Sequence, residues 1–227
     1  MAAVMFAILM TLVIICVKDR SQYWKRRVRV SKEKAAQNRE RILTSAARLF
    51  REHGISATGV DSITEDAGLT HGGLYSQFGS KEAIAAEAIR FALTRSKRVW
   101  RRALERYPGK RALPAIVDGY LSRAHRDAPG NGCVVAALGT DIARQPRRVR
   151  QAFTREIKDD LEFLSRLMPD GDPSRSYEDA IVAFASMCGT LILARAVSDD
   201  ALSDLILKST AKRVIKRGKA RAAARRS

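Results

Sequence analysis

The sequence predicts an all-α protein in which a three-helix N-terminal domain with a helix-turn-helix precedes a larger helical body. Apolar residues recur at intervals of three and four from Ser31 to about residue 216, which is the spacing of one helix face. Helix-start signals are concentrated between Thr58 and Lys81, and glycine and proline pairs separate the longer helical segments downstream. With 227 residues, the chain is long enough to bury a substantial core.

The first helix is predicted over Ser31 to Glu52. The side chain of Ser31 can cap its start, and Gly54 follows its end, as is typical of helix termini. One face of this helix is apolar at helical spacing, and we expect it to enter the core. It comprises Ile42, Leu43, Ala46, Ala47, Leu49 and Phe50.

A short second helix is predicted to begin at Gly59. Thr58 and Asp61 have the spacing of a capping box, in which the hydroxyl accepts from a backbone N–H and the carboxylate reaches back. Gly68 can adopt the left-handed conformation that ends a helix. The buried face of this helix is predicted to comprise Val60, Ile63 and Ala67.

A third helix is predicted immediately after this turn. Thr70 can cap it, and Leu69 and Leu74 form a hydrophobic staple that fixes its entry angle. In helix-turn-helix geometry the second of two such helices lies in the major groove of DNA and presents its N-terminal residues to base edges. Those residues are Thr70, His71, Gly72 and Gly73.

Two glycines in this recognition helix indicate a close approach of its backbone to DNA. Gly72 and Gly73 each disfavour a helix by about 1 kcal/mol relative to alanine. Polar side chains farther along can donate to phosphate oxygens, and Ser80 can cap a fourth helix whose N-terminus and Lys81 offer a phosphate site. The DNA-contact candidates of this region are Thr58, Thr70, His71, Gly72, Gly73, Tyr75, Ser76, Gln77 and Lys81.

The same stretch resembles the DNA-binding domain of TetR/AcrR-type transcriptional regulators over about residues 36–96. The residues that carry the resemblance are Arg41 through Phe50, Thr58, Ile63, Ala67-Gly68-Leu69, Gly72, Tyr75, Phe78 and Ser80-Lys81-Glu82. The downstream chain resembles that family only in helical character and length. The resemblance implies a homodimeric repressor that binds a palindromic operator and is released by a small molecule.

The rest of the chain is predicted to be helical. Lys81 to about Arg106 forms a long helix that Pro108-Gly109 ends. Pro129 to Gly132 and Pro169 to Pro173 are predicted breaks. Further helices are predicted over Leu113 to Arg126, Cys133 to Ala143, Gln145-Pro146 through Met168, Ser174 to Val197, and Asp199 to about Lys216.

The resemblance also implies an effector cavity in the body of the chain. We place the effector-binding and dimerisation domain at residues 97–204, after the DNA-binding domain at 36–96 and before a basic end at 205–227. A mostly apolar lining predicts a lipophilic or aromatic effector, with plain core packing as the alternative for each lining residue. The lining candidates are Phe91, Trp100, Tyr120, Cys133, Leu138, Phe153 and Phe163.

The last two predicted helices are expected to pair with those of a second copy, as in the proteins that the chain resembles. A two-fold dimer also suits DNA reading, because symmetry places two recognition helices about one helical turn of DNA apart. The alternative is that these faces close the core of a monomer. The interface candidates are Phe184, Cys188, Leu191, Ile192, Arg195, Leu202 and Ile206.

The net charge of +18 is concentrated at the two ends of the chain. Residues 18–34 hold eight basic and two acidic side chains, and residues 205–227 hold nine basic and none acidic. Such ends favour salt-sensitive phosphate neutralisation. Arg29, Lys32 and Lys34 are candidates for backbone or minor-groove contact. The alternatives are solvated charges and, for the whole protein, DNA binding without sequence preference.

Residues 1–17 are uncharged and almost wholly apolar, and basic residues follow them at once. Residues 1–30 are therefore either a membrane anchor with a basic arm, which would hold the protein at the inner face of the cytoplasmic membrane, or the result of a start site assigned too far upstream, with Val28 or Val30 as the true start. The cysteines Cys16, Cys133 and Cys188 have no metal-ligand spacing and indicate a reduced, cytoplasmic compartment.

No catalytic, cofactor or metal motif is present in the sequence, so we expect a protein that is not an enzyme and needs no cofactor. The histidines His53, His71 and His125 share no helix face. The adjacent carboxylates Asp159 and Asp160 are expected to be solvated on a charged helix face.

Overall fold

The computed structural model describes residues 32–168 and 172–224, with side chains in the last helix described as far as residue 216. The chain divides into two compact units between Arg41 and Ile42. Of the first unit, the structure describes residues 32–41, which are helical. The second unit comprises residues 42–227 and contains the remaining described elements.

The described residues form α-helices and two 3-10 turns, and they include no strand, so the predicted all-α fold is confirmed. The 3-10 turns are Gly109–Arg111 and Pro129–Asn131. Helix α1 covers residues 32–53. The others are α2 Val60–Ala67, α3 His71–Phe78, α4 Lys81–Arg106, α5 Ala112–Tyr120, α6 Arg123–Arg126, α7 Val134–Ala143, α8 Arg147–Ser165, α9 Pro173–Ala196 and α10 Asp200–Ala224.

The hydrophobic core of the second unit has two parts. The first part joins the apolar faces of α1 to α4, in which Ile42, Phe50, Ile63, Leu74 and Ile84 are at most 1% exposed. It also contains Val134, Leu138 and Ile142 of α7 and Val149 and Ala152 of α8. The three N-terminal helices therefore share one apolar core with two helices of the body.

The second part of the core lies among α4, α5, α8, α9 and α10. Its fully buried side chains include Val117, Leu164, Met187 and Leu191. Trp100 joins it from α4, with its ring edge-on to that of Phe184. Helix α4 thus runs from the first part of the core to the second and connects the N-terminal helices to the body.

Most of the predicted helix boundaries agree with the structure, but α10 continues to Ala224, past the end predicted near residue 216, and one predicted helix is broken. The bounds of α4 match, and the positive φ of 89° at Gly54 ends α1 as expected. The helix predicted over residues 113–126 is broken, because α5 stops at Tyr120 and the Ser122 side chain caps α6 by accepting from the N–H of His125. This break places His125 at the edge of the cavity described below. The domain boundaries predicted at residues 96 and 204 stay predictions.

Among the described helices, α9 is long and apolar enough to cross a membrane by length and composition. Half of its apolar window is buried inside the protein, and one such helix is weak evidence of a membrane span. The apolar segment at residues 1–17 lies outside the described residues.

Candidate functional site

Helices α2 and α3 form the predicted helix-turn-helix. Gly68 ends α2 with a left-handed φ of 61°. The N–H of Leu69 then donates to the carbonyl oxygen of Thr64 at 2.8 Å, which closes the turn before α3. Leu74 is fully buried and Phe78 is 8% exposed. One side of α3 is therefore fixed to the core, and its opposite side faces solvent.

The capping box predicted at the start of α2 is wrong. Helix α2 begins at Val60, with Gly59 as its N-cap and without a side-chain capping bond. Thr58 is only 3% exposed, and its hydroxyl donates to the carbonyl oxygen of Gly54 at 2.7 Å. Because this hydroxyl is engaged inside the fold, Thr58 does not belong among the DNA-contact candidates. It holds the loop that precedes α2.

The solvent side of α3 carries His71, Gly72, Tyr75 and Ser76, all exposed. Nε2 of His71 contacts Oδ1 of Asp61 on α2, which orients the imidazole at the start of the helix. The His71 and Tyr75 rings lie 6.0 Å apart, so they form adjacent parts of one surface. These side chains can offer hydrogen-bonding groups to the base edges or to the phosphate backbone of DNA.

The other candidates of this region are Thr70, which is exposed, and two residues that are not. Thr70 is the N-cap residue, as predicted, but its side chain makes no capping bond. Gly73 and Gln77 are partly buried.

Neither glycine of α3 is required for packing within the protein. A Cβ atom built on Gly72 would meet nothing within 4 Å, and one on Gly73 would meet Thr70 Oγ1 at 3.6 Å, an ordinary contact. Neither glycine has a positive φ. Since glycine is unfavourable in a helix and nothing inside the fold calls for it here, an external surface is the remaining physical reason.

The start of α4 has the predicted cap. Oγ of Ser80 accepts from the N–H of Ala83 at 3.2 Å. Nζ of Lys81 donates to the carbonyl oxygen of Ser56 at 3.2 Å, so the ammonium group is held beside the loop that precedes α2. An ammonium group has three donors, and two of them remain for a phosphate.

The candidates in the N-terminal arm belong to the first unit. Lys32 and Lys34 are exposed on the helix over residues 32–41, and Arg29 lies outside the described residues. Their contact with DNA stays a prediction.

A partly open cavity of about 380 Å³ lies among α4, α5, the segment 122–133, α8 and α9. Its lining is mostly apolar and includes Leu93, Val99, Trp100, Ala103, Ile116, Tyr120, Cys133 and Phe184. The volume is within the range of small-molecule sites.

Three of the seven predicted lining residues, Trp100, Tyr120 and Cys133, border the cavity. The prediction is wrong for the other four. Leu138 is buried in the N-terminal part of the core, and Phe91 and Phe153 pack against that part. Phe163 stacks on Trp100, with ring centroids 6.0 Å apart. Sequence periodicity marks such residues as buried and does not distinguish a cavity wall from a filled core.

His125 organises one wall of the cavity and is not among the predicted lining residues. Its Nε2 accepts from the N–H of Cys133 at 2.9 Å, so its Nδ1 carries the proton and donates to the carbonyl oxygen of Tyr120 at 2.6 Å. Burial lowers the pKa of His125, which favours this neutral tautomer. Arg195 donates to the carbonyl oxygens of His125 and Arg126 and fixes α6 to α9.

Asp160 lines the cavity from α8, and the expectation that it is solvated is wrong. It is 2% exposed, its Oδ1 makes no hydrogen bond, and the Lys97 ammonium lies 3.9 Å from that oxygen. Burial raises the pKa of Asp160 to about 7, although Lys97 opposes the rise. The side chain of its neighbour Asp159 is 64% exposed, as expected.

Cys133 and Cys188 are buried thiols close to the cavity. The hydroxyl of Tyr120 lies 3.2 Å from Sγ of Cys188. Burial and the neighbouring thiols raise the pKa of Tyr120, so its phenol stays protonated at neutral pH. Among the described side chains, no three His, Cys, Asp or Glu residues cluster as metal ligands would.

Arg51 joins the cavity wall to the N-terminal helices. From α1, its Nε donates to the carbonyl oxygen of Gly130 at 2.8 Å, and a second guanidinium nitrogen donates to the same atom. Asn131, next in sequence, lines the cavity. The N–H of Ile55, after α1, donates to Asp141 of α7 at 2.5 Å. These contacts link α1 and the loop after it to the segment beside the cavity and to α7, and α1 shares its apolar core with α2 and α3.

The predicted dimer interface is only partly exposed. Phe184, Cys188 and Leu191 are buried within the chain because they pack on the second part of the core, so they are not surface contacts. Arg195 is engaged with α6, as described above. Ile192 and Leu202 are exposed, and Ile206 is partly buried. The large apolar side chains exposed on α9 and α10, here called the α9/α10 face, are Ile181, Val182, Ile192, Leu193, Leu202 and Leu205.

The fold and this surface define a helix-turn-helix DNA-binding protein with a helical body. The model of the tetR family of bacterial regulatory proteins matches residues 42–88. An uncharacterized HTH-type transcriptional regulator of Mycobacterium tuberculosis is 29% identical over 176 residues, which cover 74% of this chain and 89% of that protein. Residues 42–88 are therefore a DNA-binding domain of the tetR family, within a chain similar to HTH-type transcriptional regulators.

Shorter and structural likenesses agree with this family. The HTH-type transcriptional repressor KstR2 of Mycolicibacterium smegmatis is 40% identical over 55 residues, 24% of this chain and 27% of that protein. The crystal structure of a TetR-family regulator from Cytophaga hutchinsonii has a TM-score of 0.68 at 23% identity, covering 81% of this chain and 95% of that one, which shows the fold. These relatives are regulators, so the chain is not an enzyme, and they do not favour a membrane-tethered sensor.

Proposed function

We propose that the protein is a homodimeric repressor that binds a palindromic operator and is released by a small lipophilic or aromatic effector bound in the 380 Å³ cavity. The observation that supports this most directly is the contact of Arg51 with Gly130, since it joins a cavity wall to α1 of the DNA-binding region. An effector that displaces the segment 128–133 would therefore also displace α1. The DNA-bound and effector-bound states would then exclude one another.

In this proposal, α3 reads the operator from the major groove. His71 and Tyr75 present exposed side chains at the helix surface, while Thr70, Ser76 and Gln77 are further polar contacts. The backbone at Gly72 and Gly73 approaches the DNA closely. Since α3 contains no Lys or Arg, the cationic contribution comes from Lys81 and from the arm residues Arg29, Lys32 and Lys34.

Purified protein tests the proposal directly. Genome-wide footprinting should recover a palindromic site, and binding to that site should exceed binding to random duplexes of equal length by at least 1,000-fold, as is typical of specific regulators. Equal affinity for every duplex would contradict sequence-specific regulation and support the architectural alternative. A His71→Ala variant should change the preferred sequence, whereas removing basic side chains from residues 208–226 should reduce only the salt dependence.

Gly72→Ala should have opposite effects on stability and on DNA binding. Alanine favours the helix by up to about 1 kcal/mol, and its Cβ meets nothing within 4 Å in the free protein. Chemical denaturation should therefore show an unchanged or raised free energy of unfolding. Operator affinity should fall about tenfold or more, because the added methyl group would lie where the DNA backbone approaches. Unchanged affinity would show that α3 does not approach DNA at this position.

The second copy is proposed to bind at the α9/α10 face. The exposed fractions of Leu193 and Leu205 are 58% and 61%, and these are large apolar side chains on adjoining helices. Replacing Leu193 with glutamate should convert a dimer to a monomer in light-scattering measurements and should weaken operator binding at least tenfold. Tyr107→Glu is a control, since Tyr107 is also an exposed apolar residue, at 38%, but lies at the end of α4. A dimer that survives Leu193→Glu would place the interface elsewhere.

Arg51→Met should leave operator binding intact but prevent the effector from releasing the operator. A compound that raises the melting temperature and releases operator from the parent protein should still bind the variant. Its effect on operator affinity, typically 5-fold to 150-fold for coupled sites, should fall to near unity. Arg51→Lys should restore part of the response. Arg90→Met, which removes an exposed arginine from α4, is the control and should leave the response intact. A full response in Arg51→Met would contradict this route.

A further inference from the structure

The polar side chains that line the cavity mostly have partners within the protein. Both ring nitrogens of His125 are engaged, and the Tyr120 hydroxyl contacts Cys188. The hydroxyl of Ser96 donates to the carbonyl oxygen of Ala92 at 3.2 Å. Asp160 differs, because its Oδ1 is buried without a hydrogen bond. A buried carboxylate oxygen without a donor is costly, so a group supplied by a ligand would stabilise it.

The charges around Asp160 favour a cation. Nζ of Lys97 donates to Glu156 at 2.8 Å and to Asp159 at 2.9 Å but lies 3.9 Å from Asp160. One ammonium group therefore faces three carboxyl groups, which leaves a net charge of −2 when all three are ionised. Lys97 does not itself line the cavity, and the one basic side chain among the described residues that line it is His125, which is neutral in the hydrogen-bonding arrangement observed. An anionic ligand would meet repulsion at this wall, whereas a cation would be attracted.

The other walls suit the apolar part of a ligand whose cationic group lies beside Asp160. Trp100 and Phe184 meet edge to face with ring centroids 6.0 Å apart, and Tyr120 and Ile116 lie on the adjacent helix. Aromatic faces attract cations as well as hydrocarbon. The cavity therefore combines one carboxylate that lacks a donor with an aromatic enclosure.

We propose that the effector of this cavity is a lipophilic amine whose protonated nitrogen donates to Asp160, with its hydrocarbon or aromatic part among Trp100, Tyr120 and Phe184. This inference rests on the proposed function and names the chemical class of its effector. It excludes fatty acids and other lipophilic anions as preferred ligands.

Three probes with one skeleton test the charge preference: phenylbutylamine, phenylbutanol and phenylbutyrate. Calorimetric titration of the full chain at pH 7 should give at least tenfold tighter binding for the amine than for the acid, with the alcohol between them. In Asp160→Asn the amine should lose at least tenfold in affinity, while the alcohol should change less than threefold. Glu162→Gln, which removes an exposed carboxylate of the same helix α8, should retain the preference for the amine. Circular dichroism verifies that both variants are folded.

The inference fails if the amine does not bind at millimolar concentration, if the acid binds as tightly, or if Asp160→Asn leaves amine binding unchanged. Operator release is measured separately by fluorescence anisotropy with labelled operator. Amine binding that depends on Asp160 without operator release would support the ligand class and contradict the proposed function. Release by phenylbutyrate and not by the amine would support the proposed function and overturn the ligand class.

Discussion

Replacing Asp160 with asparagine is expected to raise the free energy of unfolding by up to about 4 kcal/mol at pH 8. The pKa of Asp160 is about 7 in the folded protein, against 3.8 for an unperturbed aspartate. One pKa unit corresponds to about 1.4 kcal/mol. Because the pKa rises from 3.8 to about 7, the ionised carboxylate opposes folding by about 4 kcal/mol when fully charged. Asparagine has nearly the same shape and carries no charge.

The sign of the pH dependence follows from the raised pKa. The contribution of Asp160 to stability is fully present below about pH 4, where the carboxyl is neutral in both states, and is lost as pH rises through 7. The gain from Asp160→Asn should therefore shrink to less than about 2 kcal/mol at pH 5. Burial is the main cause, while Lys97 opposes it and Glu156, Asp159 and Cys133 add to it.

Urea denaturation of both proteins at pH 5 and pH 8 measures this difference. His125 has a lowered pKa, which reduces stability as pH falls, so each variant is compared with the parent at the same pH. Asp159→Asn is the control. Its side chain is 64% exposed, and its stability change should stay within about 1 kcal/mol. A gain from Asp160→Asn that is equal at both pH values would show that Asp160 is not held neutral by burial.

Leu74→Ala is expected to destabilise the protein by about 2–5 kcal/mol and to abolish operator binding at protein concentrations that saturate the parent. Leu74 is fully buried and attaches α3 to the core formed with α1, α2 and α4. Its truncation removes apolar contacts and leaves a cavity beneath α3. A recognition helix without that attachment cannot hold its side chains in fixed positions against DNA.

Tyr75→Ala is the matched variant on the opposite side of α3. Tyr75 is 45% exposed, so its removal should change stability by less than about 1 kcal/mol while still weakening operator binding. Thermal or urea denaturation measures the stability of the Leu74→Ala and Tyr75→Ala variants, and operator titration measures their DNA binding. If Leu74→Ala retained full operator affinity in its folded state, α3 would not depend on the core for its position. If Tyr75→Ala bound operator normally, its side chain would not contact DNA.

Helix ends could be predicted from the sequence where one or two neighbouring residues determine them. Ser80 and the Pro108-Gly109 pair determine the bounds of α4, and Gly68 ends α2 as its conformational freedom suggests. Thr58 was assigned wrongly because its hydroxyl can either accept from a backbone N–H of α2 or donate to a carbonyl oxygen, and in the fold it is buried and donates to Gly54. A capping-box spacing does not reveal which of these partners a threonine takes.

The cavity and the dimer face depend on which side of a helix is covered, and periodicity is ambiguous when both sides are apolar. Helix α9 buries Phe184 and Leu191 yet exposes Ile192 and Leu193, so its pattern gave no single face. Asp160 is partly predictable in retrospect. It falls on the same spacing as Val149, Ala152 and Leu164, which are the buried positions of α8. The charge of Asp160 favours an exposed side chain, whereas its position on the helix favours a buried one.

The packing of α7 against the N-terminal helices limits how this DNA-binding region can be reused. Leu138 and Ile142 belong to the same apolar core as Ile42 and Leu74, and Asp141 accepts from the N–H of Ile55. A chimera that transplants only residues 42–106 onto another body would leave this apolar surface facing a foreign helix. Operator specificity should therefore be exchangeable between relatives by grafting the exposed residues of α3. Transfer of the whole DNA-binding region must also include a matching α7.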